Sequence, residues 1–509
     1  MARLTRTKKL FAFLRQERHR LFDESFQSEL EGMYRQTGAG AEPHAPAMMA
    51  MATLLQAYCG ASDAEAVELT IVDLRWQLVL DRVGADEPAF SQGALVAFRR
   101  RLIAADMDQR LLERTTALAL ETKAFDAKKL PKTLRAAVDS APLEGAGRVE
   151  DTFNLLAHAA REVLKCAASI VARPLADVAG AAGSPLLLEP SVKGALDIDW
   201  SDAKARAAAL KKLVRQLDQL ERWVLRTLPV EAKDAPLKTH LDTLARIKNQ
   251  DLEPDPSGGG TRIRRGVAED RQVSVSDPEM RHGRKSKTKR FNGYKRHILT
   301  DLDTGLVLCG TITPANQPEH HALSDLDDQL SAASSTRPMA ELHVDRGYVA
   351  SDRVAELVDR GVNVVCKPWL PRNGNFYPKR DFAFDVGRML VTCPAGQVRT
   401  FVPGGTVSFG ADTCGPCSRR RACTDAIKGR SLRIAADELL QIRLRREFAS
   451  RPGRAQVRER VAIEHTLAHV VTIQGRRARY RGVRSNQFDL RRALAVQNLE
   501  IVDRTLRAA

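Results

Sequence analysis

The 509-residue sequence predicts a multidomain α/β protein that combines a mixed β-sheet with several helical regions. Three observations support this prediction. The length is enough for about three domains of ordinary size. Hydrophobic residues make up 43% of the chain and charged residues 28%, which are values of globular and not of disordered proteins. Apolar runs of strand length, bounded by turn residues, alternate with longer segments of helical periodicity.

The first region, residues 1–128, is predicted to be helical. Apolar residues recur at three-to-four spacing through Ala47–Ala57 and Ala64–Val83, which is the periodicity of an amphipathic helix. Ser91 is placed to cap a further helix over Gln92–Ala104, because a serine hydroxyl accepts a hydrogen bond from the free N–H groups of a first turn.

The sheet is predicted to come from two segments, residues 129–150 and 266–370. In the first, the apolar run Leu134–Val138 is followed by Asp-Ser-Ala-Pro-Leu, the pattern of a buried strand that ends in a turn. A helix over Asp352–Asp359 is expected in the second segment. The apolar runs there predict the strands Gln272–Val275, Tyr294–Thr300, Leu306–Thr313, Leu342–Val344 and Val362–Lys367.

Three other regions complete the predicted organisation. Residues 151–265 read as a mainly helical insertion that ends in a glycine-rich linker. Residues 371–430 form a small insertion that contains a cluster of cysteines. Residues 431–509 read as a helical C-terminal part of the core with a basic tail, and a long helix is expected near Gln456–Ile473.

The positive charge is concentrated in two segments. Arg281–Thr300 contains eight Lys and Arg and no acid, and Ser431–Ala509 contains 17 Arg against eight acids. Together they account for the whole net charge of +17. A single basic run is often only a solvated surface, but two runs that also contain glycine and aromatic residues favour a polyanionic partner, which binds through counterion release.

The sequence gives no indication of a membrane partner. Its longest apolar stretch, Ala45–Tyr58, is too short to span a bilayer, and no signal-peptide core follows the basic N-terminus. The few, scattered cysteines outside residues 371–430 fit a reducing compartment. We therefore expect a cytoplasmic, nucleoid-associated protein.

Two aspartates are placed where buried strands are predicted to end. Asp139 follows the apolar run that ends at Val138, and Asp345 follows Leu342–Val344 and precedes a glycine turn. A single aspartate in such a place is more often a turn residue than a functional one. Two of them on strands of the same sheet can instead bring their carboxylates together at one edge.

A glutamate has an unusual setting on the predicted C-terminal helix. Glu464 interrupts an apolar stripe formed by Val457, Val461, Ala468 and Val471. A carboxylate in the middle of a buried stripe needs a cation as partner. Arg460, one turn earlier, provides that partner in the simplest structural interpretation, an i,i+4 salt bridge.

Together, the three carboxylates predict a divalent-metal site. Carboxylate oxygens are the ligands that Mg²⁺ and Mn²⁺ prefer. Two such ions about 4 Å apart support in-line displacement at a phosphodiester, in which one ion activates the attacking water or 3′-hydroxyl and the other stabilises the leaving oxygen. This chemistry agrees with the polyanionic partner that the basic segments predict.

The cysteine cluster predicts a second, structural metal site. Its members are Cys393, Cys414, Cys417 and Cys423. Their spacing fits a Zn²⁺ ion held by four thiolates, and a segment of about 60 residues with few apolar side chains needs such a metal to fold. The alternatives are a redox-active Cys-Gly-Pro-Cys pair, although no thioredoxin-like strand–helix pattern surrounds it, and four unrelated thiols.

Several motifs, in their order along the chain, resemble those of the DDE transposases of bacterial insertion sequences. They are Val138–Leu143 with Glu150–Thr152, Asp277–Lys285, Phe291–His297, Val344–Tyr348, Arg460–His465 and Gly475–Gly482. The resemblance extends from about residue 20 to about residue 500. It implies a ribonuclease-H-like core that is interrupted by insertions, one of them rich in cysteine. It also implies that Asp139, Asp345 and Glu464 are the catalytic triad and hold two Mg²⁺ or Mn²⁺ ions per site.

The resemblance further implies contacts with DNA. Arg460 corresponds to the arginine of a tyrosine–arginine–glutamate–lysine signature in related enzymes, whereas Val457 and Val471 occupy the tyrosine and lysine positions. Tyr480 is a candidate to stack on an unpaired base. Candidates to replace the missing signature contacts are Arg476, Arg477 and Arg479. Candidates to follow the phosphate backbone are Arg284, Lys285, Lys287, Lys289, Arg290, Tyr294 and Lys295, of which Tyr294 is also a stacking candidate.

The function expected from this resemblance is that of a DNA transposase that cuts at the ends of an insertion sequence and joins the 3′-hydroxyl to target DNA. Its partners would be double-stranded DNA, as terminal inverted repeats and as target, and further copies of the chain in a synaptic complex. Residues 1–128 would bind the repeats and assist assembly. Two alternatives remain: a nuclease of the same fold that cleaves without joining, and a non-catalytic DNA-binding protein derived from a transposase.

Overall fold

The computed structural model describes residues 10–34, 42–126, 128–256, 258, 260–286, 288–333 and 337–508. The N-terminal region is helical, as predicted. Ser91 caps α6 by accepting a hydrogen bond from the N–H of Ala94. The helix predicted over Ala64–Val83 is instead two helices, because Asp73 ends α4 and its carboxylate caps α5. The helices are α1 (Leu10–Leu21), α2 (Glu24–Glu31), α3 (Pro46–Cys59), α4 (Asp63–Val72), α5 (Leu74–Leu80), α6 (Gln92–Ala104) and α7 (Met107–Glu121).

A long strand and a helical insertion follow. The strand is β1 (Leu134–Glu144). Buried residues of α8, α11 and α12 give the insertion a hydrophobic cluster of its own. The N–H of Glu150 donates to the carbonyl of Val273 over 3.1 Å, so the chain enters and leaves the insertion at neighbouring points. The insertion contains α8 (Thr152–Ile170), α9 (Leu175–Ala181), α10 (Val192–Leu196), α11 (Ala203–Thr227), α12 (Leu237–Asp251), β2 (Leu252–Pro254) and β3 (Thr261–Ile263).

The strands after the insertion complete a mixed sheet with β1. In the sheet, β5 is antiparallel to β1, β4 and β6, whereas β1, β7 and β8 run parallel to one another. The helix predicted over Asp352–Asp359 has those bounds, but Gln272–Val275 forms only an isolated bridge between Gln272 and Arg281. The elements are β4 (Arg281–Arg284), β5 (Arg290–Asp301), β6 (Val307–Pro314), α13 (Ala322–Ala332), β7 (Met339–His343), α14 (Arg346–Val349), α15 (Asp352–Asp359) and β8 (Asn363–Val365).

A small β-rich unit and a helical C-terminal part end the chain. The expected long helix near Gln456–Ile473 is divided at Arg460, which lies between α19 and α20. None of the described helices is long and apolar enough to cross a membrane. The small unit contains β9 (Ala383–Asp385), β10 (Leu390–Thr392), β11 (Val398–Thr400), β12 (Thr406–Ser408), α16 (Ala411–Cys414), α17 (Arg420–Cys423) and β13 (Ser431–Arg433). The C-terminal helices are α18 (Glu438–Ala449), α19 (Arg451–Glu459), α20 (Val461–Gln474) and α21 (Val483–Ala508).

The N-terminal helices share one hydrophobic core with the sheet. α21 packs against α3, α7 and β6, and one cluster of buried side chains contains residues of the N-terminal helices, of β5 and β6, and of α20 and α21. Polar contacts connect the same elements: Arg99 pairs with Asp63 over 2.6 Å and donates to the hydroxyl of Tyr480, and Arg492 donates to Gln56 over 2.7 Å. The described residues of this region, 10–34, 42–126 and 128, are therefore built into the body of the protein.

Two deletions are expected to have opposite effects on folding. Removal of residues 1–128 uncovers the apolar surfaces of α21 and β6, so the remainder is expected to be insoluble. Replacement of residues 152–271 by a short Gly-Ser linker removes a unit with its own core and joins neighbouring points, so a soluble protein with a cooperative thermal transition is expected. Soluble yield and circular dichroism would measure both. A well-folded protein that lacks residues 1–128 would contradict the shared core.

Candidate active site

Asp139 lies on β1, and Asp345 lies two residues beyond the end of β7, the parallel neighbour of β1. β1 and β7 pair in a register that places Ala137 opposite His343, and each aspartate lies two residues further along its chain. Because side chains alternate along a strand and neighbouring strands are about 4.8 Å apart, this register directs both carboxylates to the same face of the sheet. β7 ends at His343, and Asp345 caps α14 by accepting a hydrogen bond from the N–H of Arg346 over 2.8 Å.

Asp139 lies within β1 and not at its end. The predicted end at Val138 is wrong, because β1 continues to Glu144 through pairing with β5. The side chain of Asp139 is 17% exposed. Burial raises the pKa of this carboxyl above its ordinary value; the Arg460 charge opposes the shift, and the negative charges of Asp345 and Glu464 add to it. A carboxyl in this setting gains from any cation that enters beside it.

Glu464 lies in the first turn of α20, where a negative charge is favourable at the helix N-terminus. The expectation that it is buried is wrong: its side chain is 52% exposed. The buried side of α20 consists of Ile463, Leu467, Val470 and Gln474, and the stripe that includes Glu464 borders an open cleft instead. Glu464 therefore faces the cleft, and its charge does not depend on a buried cation for compensation.

Arg460 bridges two of the three carboxylates. Its guanidinium lies 3.0 Å from Asp139 Oδ2 and donates to Glu464 Oε1 over 2.8 Å. The contact with Asp139 is a close ion pair without the alignment of a hydrogen bond. The predicted i,i+4 salt bridge is confirmed, and the same guanidinium reaches the strand as well. Positive charge is therefore stabilised at the point between Asp139 and Glu464.

All three acidic residues line one cleft of about 890 Å³. Basic residues from both charged segments border the same cleft. Lys295 is half-buried there and donates to the carbonyl of Gln317 over 2.7 Å, and burial lowers the pKa of its ammonium group. The other basic residues along the cleft are Arg284, Lys285 and Arg476. The cleft thus combines a carboxylate centre with a positively charged border.

Four basic residues of the first segment project from the β4–β5 hairpin. Arg284 pairs with Arg290 in the β4–β5 ladder, and the N–H of Lys285 donates to the carbonyl of Lys289 over 2.9 Å. These four side chains are exposed beside the cleft. Lys287, which was expected to act with them, lies outside the described residues.

Two of the predicted DNA contacts do not fit the structure. Tyr294 is fully buried and donates its hydroxyl to Asp277, so it is not available for stacking or for a phosphate. Tyr480 is half-buried against the hydrophobic core, and Arg99 and Arg492 lie over its ring at 5.0 Å and 5.7 Å. Both rings therefore have structural partners.

Of the three arginines between α20 and α21 that were predicted to contact DNA, some have structural partners and others are exposed. Arg479 donates to the carbonyls of Gly60 and Ala61 at the end of α3. Arg477 donates weakly to the carbonyl of Ala146 over 3.4 Å and is otherwise exposed, and Arg476 borders the cleft. Of these three arginines, Arg476 has the position that the predicted DNA contact requires.

Sequence reasoning missed a fourth acidic residue of the cleft, Glu319. It lies in a short 3₁₀ turn, Glu319–His321, after β6, and it accepts a hydrogen bond from the hydroxyl of Ser140 over 2.6 Å. Its position in the sequence, shortly after a predicted strand, is the same signal that identified the two aspartates. The intervening Pro-Ala-Asn-Gln-Pro loop separates it from the strand and obscures that signal.

The four clustered cysteines belong to the small β-rich unit, and three of them contribute to its core. Cys414 and Cys423 are buried there and Cys393 packs against them. Backbone N–H groups of Gln397 and Arg430 donate to the sulfur atoms of Cys393 and Cys414, both over 3.3 Å. The proximity of the other three thiols contributes, after burial, to a raised pKa of the Cys423 thiol. The thiols are thus neighbours in space, across 31 positions of sequence.

A different group of side chains brings its possible metal-ligand atoms closest to one another. Within the described ranges, only Glu341, His343 and Glu459 bring three such atoms within 4.8 Å of one another. Arg135 already donates to both glutamates of this group. We interpret the group as a charge-balanced contact that fixes the end of α19 against the sheet.

Comparisons with known proteins give two matches. The family described as "Transposase DDE domain" matches residues 260–499, a range that includes Asp345 and Glu464. A second family, described as "Transposase domain", matches residues 7–101. No curated protein and no solved structure matches the chain.

Proposed function

Because the chain belongs to the DDE transposases of insertion sequences, we propose that it cuts DNA at the ends of such an element and joins the 3′-hydroxyl to target DNA. The membership confirms the resemblance seen in the sequence. The observation that carries the proposal is the convergence of Asp139, Asp345 and Glu464 on one cleft with a basic border. A ribonuclease-H-like core is supported by the mixed sheet, in which Asp139 lies on β1 and Asp345 follows the end of the adjacent parallel strand β7.

The donor set fits a pair of Mg²⁺ or Mn²⁺ ions. Asp139, Asp345 and Glu464 provide the hard oxygen ligands that these cations prefer. The guanidinium between Asp139 and Glu464 marks a point where positive charge is already favourable. The chemistry that such ions supply when bound is activation of the attacking hydroxyl or water and stabilisation of the leaving oxygen.

The basic side chains provide binding and orientation in this proposal. Lys295 and Arg476 border the carboxylate centre and would hold the phosphates next to the scissile bond. Arg284, Lys285, Lys289 and Arg290 on the hairpin would follow the backbone further away. Arg460 neutralises Asp139 and Glu464 in the metal-free chain, and it can turn to a phosphate once those carboxylates bind a cation.

The cysteine unit fits a structural Zn²⁺ ion by its chemistry. Cys393, Cys414, Cys417 and Cys423 would supply four soft thiolates within one small unit, and N–H···S contacts stabilise two of them. We further propose that terminal inverted repeats are bound by several copies of the chain in a synaptic complex. Residues 1–128 would contribute to that assembly from within the common body of the protein.

A cleavage-and-joining assay tests the proposal. Labelled duplexes that carry the sequences flanking the gene are incubated with the protein in Mg²⁺ or Mn²⁺, together with a supercoiled target plasmid. Cuts at discrete positions followed by joined products are expected. Cutting without joined products would favour the nuclease, and DNA binding without any cutting would favour a non-catalytic protein derived from a transposase.

A further inference from the structure

Glu319 occupies the space between the two segments that carry the active-site aspartates. Ser140, directly after Asp139, donates its hydroxyl to Glu319 Oε1 over 2.6 Å. Gly347, two residues after Asp345, packs against the other oxygen: a Cβ atom built on this glycine would lie 2.1 Å from Glu319 Oε2. One carboxylate therefore contacts β1 and α14 at the same time.

The carboxylate of Glu319 fits against residue 347 because Gly347 has no side chain. The Cβ built there would also lie 3.2 Å from the carboxyl carbon and 3.4 Å from the Cβ of Glu319. The only distance under 3.0 Å is to the carboxylate oxygen, so a methyl group at residue 347 would push the end of the flexible Glu319 side chain out of its present place. The close approach of Glu319 Oε2 thus depends on glycine at residue 347.

The layer behind Glu319 is polar but uncharged. The hydroxyl of Tyr348 lies 2.7 Å from His297 Nδ1, and His297 Nε2 lies 2.9 Å from the hydroxyl of Thr313. Burial lowers the pKa of His297 to about 3, so its ring is neutral at ordinary pH. Positive charge near Glu319 comes from the cleft side, where the ammonium group of Lys295 interacts electrostatically with the Glu319 carboxylate. The negative charge of Glu319 therefore faces the same space as the three active-site carboxylates.

We propose that Glu319 is a positioning residue that fixes the relative placement of the Asp139 and Asp345 carboxylates. This inference depends on the proposed function, because the placement matters only if the two aspartates act together on a cation. Asp139 and Asp345 come from segments separated by more than 200 residues, and the β1–β7 ladder ends before it reaches them. Glu319 supplies the connection beyond the end of the ladder. Residues that orient metal ligands in this way typically change metal affinity by about 10–100-fold when they are removed.

Binding of Mn²⁺ to the full-length, DNA-free protein tests the role without an activity assay. Electron paramagnetic resonance of free Mn²⁺ would compare wild type with Glu319→Ala, Glu319→Gln and Gly347→Ala. We expect Glu319→Ala to weaken Mn²⁺ binding about tenfold. Glu319→Gln keeps an oxygen that can accept from Ser140 and is expected to retain most of the affinity. Asp325→Asn, on the exposed side of α13, is the matched control and is expected to bind like wild type.

Gly347→Ala provides an independent test, because it displaces Glu319 without removing its charge. We expect it to weaken Mn²⁺ binding as Glu319→Ala does, and we expect the double variant Glu319→Ala/Gly347→Ala to be no weaker than Glu319→Ala alone. Thermal unfolding of each variant would verify that the protein is folded. Additive losses in the double variant would overturn the role of this contact.

Cleavage assays separate positioning from chemistry. At saturating Mn²⁺, Glu319→Ala is expected to recover most of the wild-type rate, with only the half-saturating metal concentration raised. A wild type that cuts DNA and binds Mn²⁺, beside Glu319 variants with unchanged Mn²⁺ affinity, would overturn this inference alone. A wild type that neither binds Mn²⁺ through Asp345 nor cuts DNA would overturn it together with the proposed function.

Discussion

Replacement of Asp345 by asparagine is expected to lower DNA cleavage by roughly 10³-fold or more, which corresponds to about 4 kcal/mol of transition-state stabilisation. Asp345 shares the cleft with Asp139 and Glu464, and the substitution removes a charged oxygen ligand from that set. Asparagine is as good a helix cap as aspartate, so the start of α14 is preserved. The loss is therefore expected in cleavage and not in folding or in DNA binding.

The matched control is Asp359→Asn, which makes the same chemical change on an exposed position of α15, outside the cleft. Cleavage rates, thermal unfolding and binding of the same duplex would be measured for both variants. Asp139→Asn and Glu464→Gln are expected to show losses of similar size, because the proposed function assigns the three residues to one metal site. Cleavage by Asp345→Asn at more than about a tenth of the wild-type rate would exclude this carboxylate from the reaction.

The pairing of the two aspartates illustrates what the sequence could and could not reveal. Each residue was recognisable from its local setting, a carboxylate after an apolar run. Their actual proximity depends on the register of β1 and β7, which places Ala137 opposite His343 across about 200 intervening residues. Local patterns carry no information on such a register, because it is decided by the packing of both faces of the sheet.

The wrong prediction of which side of α20 is buried has a similar cause. The apolar stripe through Glu464 and the stripe through Ile463, Leu467 and Val470 are both compatible with helical periodicity. Contacts with α21 and β1 select the second stripe for burial. The first is left at the cleft, where small and apolar side chains leave room for a ligand. The side of α20 that borders the cleft was thus predicted to be buried.

The number of basic residues in the two charged segments is larger than the number whose side chains are exposed to DNA. Arg296 was counted with its neighbours, but it is fully buried and donates to Gln474 over 2.9 Å and to the carbonyl of Gly475 over 2.8 Å. Burial lowers the pKa of this arginine to about 10. Tyr294, two residues earlier, is buried in the same strand. Net charge identified the correct class of partner, whereas strand burial decided which side chains can reach it.

Removal of zinc is expected to unfold the cysteine unit while the rest of the chain stays folded. The core of this unit is small, and a structural zinc site in small peptides contributes about 10 kcal/mol or more, which exceeds what such a core supplies. In the described part of the chain, no three of these sulfur atoms lie within 4.8 Å of one another. Binding of zinc would therefore have to bring the four sulfur atoms closer together, to Zn–S distances of about 2.3 Å. Without it, we expect rapid proteolysis within residues 371–430.

Zinc content by elemental analysis and limited proteolysis with and without a chelator would check this result. One Zn²⁺ per chain is expected in wild type and a large loss in Cys417→Ser, whereas Cys166→Ser, on α8, is the control and keeps its zinc. Unfolding of the unit is also expected to disturb the helix that carries Glu464. Lys379 of the unit pairs with the buried Glu438 at the start of α18 over 2.6 Å, and α18 packs against α19, which leads directly into α20. Chelated protein should therefore lose DNA cleavage even when Mg²⁺ is restored. Unchanged protease resistance in a protein that contains no zinc would show that the four thiols serve only as packing residues.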